Sequence, residues 1–131
     1  MNDFEKALAS YISEESLRKI QSIKVGIAGA GGLGSNCAFN LVRSGFKKLK
    51  IVDFDKVELT NLNRQFYFID QIGMPKVEAL KTNLLRINPH LQLDMVNDRV
   101  TEENVKSMFE DYDVVVEAFD RVEYKRMIIE N

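Results

Sequence analysis

The sequence predicts a three-layer, doubly wound α/β fold built on a parallel sheet. Three observations carry that expectation. Segments with helical period alternate with short apolar segments of strand type along the whole chain. A glycine cluster, Gly29-Ala30-Gly31-Gly32-Leu33-Gly34, sits between one such strand and the following helix. An aspartate, Asp53, closes the next strand about twenty residues later.

The elements follow in order. Phe4, Leu8, Tyr11 and Ile12 recur at helical spacing, and Leu17 and Ile20 continue the stripe after a break at Ser13. IKVGIA (23–28) reads as the first strand, the glycine cluster follows, and Ser35 to Ser44 reads as a helix stopped by Gly45 at C′. LKIVD (49–53) is the second strand, and a polar connection runs to about Gln71. Pro75 suits the first turn of a helix with Val77, Leu80, Leu84 and Ile87 on one face, which Asn88-Pro89 ends. LQLDMV (91–96) is a third strand. Thr101 is a candidate N-cap for a helix through about Glu110, DVVVEAF (113–119) a fourth strand, and residues 121–130 a last helix. Parallel strands need right-handed crossovers, so this alternation places helices on both faces of one sheet.

Composition narrows the function classes. The chain has 131 residues, one domain's worth, with 45% hydrophobic and 29% charged residues. A net charge of −2 and a pI near 5.5 argue against a nucleic-acid or membrane-surface binder. No run approaches the roughly 18 apolar residues of a membrane span, and the acidic start Met1-Asn2-Asp3-Phe4-Glu5 is no secretory signal. The single cysteine, Cys37, offers neither an internal disulfide nor a zinc cluster and reads as a small apolar helix residue; a reducing cytoplasm fits. His90 reads as a surface loop residue, and Phe66, Tyr67 and Phe68 as packing or a dimer contact.

The glycine cluster matches G-x-G-x-x-G in the context that motif needs, a strand before it and a helix after. Glycines let the main chain approach phosphate oxygens, and the helix N-terminus attracts anions. Asp53 can accept hydrogen bonds from ribose hydroxyls. These features predict a nucleotide site at Gly29, Gly31, Gly32, Gly34 and Asp53, and a nicotinamide-dependent oxidoreductase would share them.

The connection separates the two chemistries. It reads Asp53-Phe54-Asp55, then Asn61-Leu62-Asn63-Arg64-Gln65, with Lys76 beginning the next helix and Asp120 following the fourth strand. With GAGGLG, this combination resembles the ThiF/MoeB group, the bacterial relatives of ubiquitin-activating enzymes; VVVEAFD brings it nearest to ThiF proteins of thiamine biosynthesis. The resemblance covers about residues 22–131. It implies a Rossmann-like core there, an N-terminal helical segment over about 3–20, and a single nucleotide-binding domain over 1–131.

It also implies an activity: ATP-dependent adenylylation of the C-terminal glycine carboxylate of a ubiquitin-fold, ThiS-like sulfur carrier, with release of pyrophosphate. By the same resemblance Arg64 and Lys76 contact the phosphates, Asn61 (with Asn63 and Asp55) helps hold them, Asp53 holds the ribose, and Asp120 binds Mg²⁺. Arg64, Lys76 and Asp120 would then be the catalytic set, in a homodimer. Two departures stand out. Many relatives donate an arginine-rich N-terminal motif to a neighbouring subunit, whereas only Lys6, Arg18 and Lys19 precede the first strand here. Family members also continue well past the aspartate after the fourth strand, so the chain reads as C-terminally truncated, with Val122, Met127, Ile128 and Ile129 an uncovered apolar face. The competing readings are a tRNA-modifying ATP-dependent dehydratase of the same superfamily, the oxidoreductase, and a non-catalytic partner subunit.

Overall fold

The sheet order explains where a ligand can bind. The computed structural model describes residues 1–118; the expected helix over 121–130, its apolar residues and Asp120 lie outside them. Its elements are α1 (Asp3–Ala9), α2 (Glu14–Ser22), β1 (Lys24–Ala28), α3 (Gly32–Arg43), β2 (Lys48–Asp53), α4 (Lys76–Leu85), β3 (Gln92–Asn97), α5 (Val105–Phe109) and β4 (Val114–Glu117). The strands pair in parallel in the order β3-β2-β1-β4. The chain therefore winds outward from β1 to β3 and then returns to lay β4 on the other side of β1. That reversal opens a crevice beyond the carboxyl ends of β1 and β4.

Strand alternation feeds two cores. On one face Val25, Ile27, Leu49 and Ile51 pack with Ala38 and Val42 of α3 and Ala79, Leu80 and Leu84 of α4. On the other, Ala28 and Val52 meet Val100, Val105 and Phe109. Leu17, Ile27, Ile51, Leu80 and Leu84 have no exposed surface, so each contributes about 1.5–3 kcal/mol of apolar burial. Gly26 lets α5 approach, because a Cβ there would lie 2.4 Å from the Phe109 ring. The result is a three-layer doubly wound α/β sandwich, the architecture the sequence predicts.

The local starts and stops follow ordinary capping chemistry. Asn2 and Glu5 form a reciprocal capping box on α1, and Ser13 caps α2 by accepting the Ser16 N–H. Gly45 ends α3 with φ 111°, and a Cβ there would also meet Leu17 Cδ1 at 2.8 Å. The α1–α2 pair thus covers the far end of α3 and the amino end of the sheet, opposite the crevice. Its anchor is Glu5, only 2% exposed, which accepts from Gln21 Nε2 (2.7 Å) and lies 3.2 Å from the Lys47 ammonium. No helix among the described residues is long and apolar enough to cross a membrane.

Four sequence expectations need correction. The helix after the glycine cluster begins at Gly32 rather than Ser35, because its first bond already runs from the Ser35 N–H to the Gly31 carbonyl (2.9 Å). Thr101 and Asn104 exchange bonds in a capping box and the Val105 N–H donates to the Thr101 carbonyl (3.0 Å), so Thr101 caps the turn leading into α5, but the regular helix starts only at Val105 and ends at Phe109. Tyr11 leaves the apolar stripe and is 89% exposed, since α1 ends before it. Helix α4 stops at Leu85 with Arg86 at its C-cap, ahead of Asn88-Pro89.

Candidate functional site

The glycine turn is built by close backbone approaches. Gly29 has φ 115°, and its N–H donates to the Val52 carbonyl (2.8 Å). A Cβ on Gly34 would lie 1.9 Å from the Gly29 carbonyl oxygen, so these two glycines fold the turn tightly rather than face outward. Gly31 occupies the N-cap of α3 and supplies no side-chain cap. The first N–H groups of a 12-residue helix are left pointing past Gly31 and Gly32, with the positive end of its dipole.

Asp53 closes the floor. Its carboxylate accepts from the Ala30 N–H through Oδ2 (2.7 Å) and from the Asp55 N–H through Oδ1 (2.7 Å). Burial raises this carboxyl above its ordinary value; the two N–H groups and the Lys76 charge oppose the rise without cancelling it. The position expected to hold a ribose therefore also ties β2 to the glycine turn. Each oxygen retains a second lone pair for a ligand hydroxyl.

The connection from Phe54 to Pro75 folds back over this turn. Short 3-10 turns at Leu59–Asn61 and Ile69–Gln71 shape it. Asn36 of α3 donates to both the Gly32 and the Arg64 carbonyls (2.7 Å each), and the Phe66 N–H donates to Ser35 Oγ (3.1 Å). The Tyr67 hydroxyl donates to the buried Ala30 carbonyl (2.5 Å), and burial pushes its pKa strongly up, so it stays protonated. At the other end the Lys76 N–H donates to the Asp55 carbonyl (2.9 Å). Phe66, edge-on to both Phe39 and Phe68, is packing, as the sequence suggests.

These contacts bring Arg64 to the helix mouth and set Lys76 in the same polar cavity. The Arg64 Nε lies 4.0 Å from where a Cβ on Gly32 would stand. Its guanidinium donates to the neutral acceptors Thr60 O and Asn63 Oδ1, 3.1 Å each. Lys76 is buried, at 6% exposed, and among the described residues its ammonium makes no hydrogen bond or ion pair. Asp55, Lys56, Glu58, Asn61, Arg64, Gln65 and Lys76 line one open, polar cavity of about 230 Å³. Asn61 Oδ1 is committed to the Glu58 N–H (2.8 Å), which leaves its amide N–H groups for the cavity. Arg64 and Lys76, in no salt bridge among the described residues, together with an uncapped helix N-terminus suit a polyanion.

Of the expected site residues, the structure brings together Gly31, Gly32, Asp53, Asp55, Asn61, Arg64 and Lys76. Asn63 does not line the cavity and instead steadies Arg64; Gly29 and Gly34 serve the turn's own geometry. Asp120 lies outside the described residues, and among those no cluster of three or more His, Cys, Asp or Glu could hold a metal ion. Sequence reasoning missed Ser35, Asn36 and Tyr67, whose roles depend on tertiary contacts. It also left Gln65 out of the site, although Gln65 belongs to the N-x-x-R-Q run. Cys37 is half-buried and burial raises its thiol pKa, so it stays an unreactive helix residue. His90 sits at the surface, 3.8 Å from Glu5.

Comparison with known proteins adds the lineage. The molybdopterin-synthase adenylyltransferase of Haemophilus influenzae is 36% identical over 111 residues, covering 84% of this chain and 46% of that protein. The tRNA threonylcarbamoyladenosine dehydratase of Bacillus subtilis is 37% identical over 117 residues, covering 87% and 46%. Among solved structures, E. coli tRNA N6-threonylcarbamoyladenosine dehydratase in complex with ATP superposes with a TM-score of 0.88 at 32% identity, over 95% of this chain and 52% of that one. The chain thus spans about half the length of these relatives. Residues 4–130 match the ThiF family, and the chain belongs to it.

Proposed function

We propose that the protein containing this chain is an ATP-dependent adenylyltransferase that activates the C-terminal glycine carboxylate of a ubiquitin-fold sulfur-carrier protein. The observation that carries the reading is Arg64, beside the uncapped start of α3, sharing one polar cavity with the buried Lys76, neither of them in a salt bridge among the described residues.

In this reading the ATP phosphates lie across Gly31 and Gly32 and enter the cavity. The carrier's carboxylate oxygen attacks the α-phosphorus, the bond from that phosphorus to the β-bridging oxygen breaks, and pyrophosphate leaves. An α-carboxyl group ionises near pH 3.5, so the nucleophile is already an anion at neutral pH and needs no general base. The remaining barrier is electrostatic. The Arg64 fork spreads its charge over several phosphate oxygens, Lys76 supplies a point charge, and Asn61 adds an amide donor. Asp53 takes the ribose hydroxyls with its spare lone pairs. Mg²⁺ bound mainly by phosphates asks for only one or two protein carboxylates, so the lack of a carboxylate cage among the described residues is compatible with it. Asp120 is the residue we assign to it, to offset charge on the leaving group. The reading includes a homodimer, for which exposed Phe68, Ile69 and Ile72 on the connection offer an apolar face.

The close superposition with the E. coli dehydratase favours a second acceptor, a threonylcarbamoyladenosine-bearing tRNA, activated by the same phosphate chemistry. The net charge of −2 weighs against it. One experiment separates the two: ATP–pyrophosphate exchange by the full-length protein, offered either a carrier ending in Gly-Gly or the modified tRNA. Exchange with the carrier supports the first acceptor, and ATP turnover only with the tRNA replaces it by the second. Silence with both, together with NADH binding, refutes adenylylation.

A further inference from the structure

One polar atom in the wall of the cavity has no partner. Gln65 is 93% buried by its 7% exposure, and its side-chain carbonyl oxygen, Oε1, is sealed from solvent without a hydrogen bond. Buried carbonyls without partners are rare, and each calls for an explanation. The same cavity is lined by Lys76, a residue only 6% exposed, whose ammonium touches no acceptor among the described residues. An unpartnered acceptor and a cation without a hydrogen-bond partner, on two residues that line one cavity of about 230 Å³, are complementary. The lysine charge stabilises the Asp53 carboxylate.

We propose that Gln65 is a positioning residue for Lys76: as an anionic ligand draws the ammonium off Asp53 and into the cavity, Gln65 Oε1 accepts one of its hydrogens and fixes its direction onto the phosphates. The backbone prepares the glutamine for this. Its N–H donates to the Asn61 carbonyl (2.9 Å), and its neighbour Arg64 is pinned to α3 through Asn36. A lysine alone is a flexible point charge, whereas one held by a fixed acceptor loses less freedom when it meets the ligand. The inference rests on the ATP reading above.

The variants Gln65→Met and Lys76→Met, and the double variant, test it in the full-length protein, with ATP affinity measured by calorimetry and the thermal midpoint without ligand. Gln65→Met removes an unpaired buried acceptor, so its ligand-free midpoint is expected to hold or rise by a few degrees while ATP binds about tenfold more weakly. In the Lys76→Met background the same change is expected to cost less than twofold, because its target is gone. A lowered midpoint or an unfolded Gln65→Met protein would make the residue structural and overturn the proposal. Equal penalties in both backgrounds would overturn it too, as would no penalty in either. Wild-type protein that binds no ATP overturns the functional reading and takes this inference with it; the three results just named sink only the inference.

Discussion

The tightest constraint on the site is the contact between Gly34 and Gly29, and Gly34→Ala tests it. The added Cβ would stand 1.9 Å from the Gly29 carbonyl oxygen and 2.6 Å from its carbon. Ordinary contact begins near 3.4 Å, so about 1.5 Å must be found by moving main chain. Gly29 has little room to retreat: even a Cβ on it would lie 2.7 Å from the Ala118 carbonyl just after β4, and its N–H is held by Val52. Overpacking a core that can rearrange costs about 1–3 kcal/mol. With backbone on both sides the cost should reach at least about 3 kcal/mol, a fall of about 10 °C in melting temperature for a domain of this size. Gly32→Ala is the matched control. Its Cβ would meet nothing nearer than Arg64 Nε at 4.0 Å, and alanine in a helical position gains about 0.5–1 kcal/mol over glycine. Thermal unfolding followed by circular dichroism, with ATP affinity by calorimetry, reads both. Gly34→Ala should lose stability and ligand together, and Gly32→Ala should keep stability while its methyl group intrudes on the phosphate path. A Gly34→Ala protein melting within about 3 °C of wild type, or roughly 1 kcal/mol, would refute the steric account of the turn.

Lys76→Met should lower ATP–pyrophosphate exchange by about a hundredfold or more, the usual scale for removing a preorganised charge. Its melting temperature should stay within a few degrees, since no ion pair is broken; a large drop in stability would mean the ammonium is structural. Tyr67→Phe removes the donor to the buried Ala30 carbonyl and should cost about 1–2 kcal/mol by denaturant titration. Glu5 gives a pH signature. Burial pushes its carboxyl up, but the Asn2 N–H, Lys47 and Asn88 outweigh that and hold it below its ordinary 4.5. A lowered folded-state pKa gives stability that is present above 4.5 and is lost as pH falls through the folded value. Glu5→Gln should therefore be less stable than wild type by about 2 kcal/mol at neutral pH, and the gap should close only below pH 4.5. Parallel stability curves down to pH 3 would exclude that linkage.

What was legible in the sequence is what short-range chemistry specifies. Strand alternation, Gly45 after its helix and Ser13 before its own are local signals, and each stands where the sequence expects it. The shifts come at helix starts, where the sequence does not mark the residue at which the regular helix begins. Thr101 uses its cap chemistry, but Asn104 Nδ2 also reaches back to the Arg99 carbonyl (2.9 Å), and the residues between form a turn before α5 begins. The glycine cluster reads as a loop, yet half of it is already helix, because glycines at Gly32 and Gly34 carry no marker of where the first turn closes. The resemblance carried by the N-x-x-R-Q run is what assigned Arg64 to the phosphates. Nothing in that run says that Asn36 and Ser35, from a different helix, hold the segment down.

That division has an energetic consequence for the site. The connection is fastened by neutral groups: Asn36 to Arg64 O, Ser35 to the Phe66 N–H, Tyr67 to Ala30 O, Asp55 O to the Lys76 N–H. None of these bonds spends the charge of Arg64 or Lys76. Had a carboxylate paired with the exposed Arg64, the fold would have gained little from the pair, and a phosphate would have had to displace it. Holding cations in place by backbone bonds keeps them preorganised and unneutralised, the condition under which fixed charge lowers a barrier most. Introducing a competitor tests this directly. Asn63→Asp sets a carboxylate beside the Arg64 guanidinium, where Oδ1 already accepts at 3.1 Å. It should leave the melting temperature nearly unchanged and weaken ATP binding by about tenfold, roughly 1.4 kcal/mol. Undiminished affinity would mean that Arg64 is not part of the anion site.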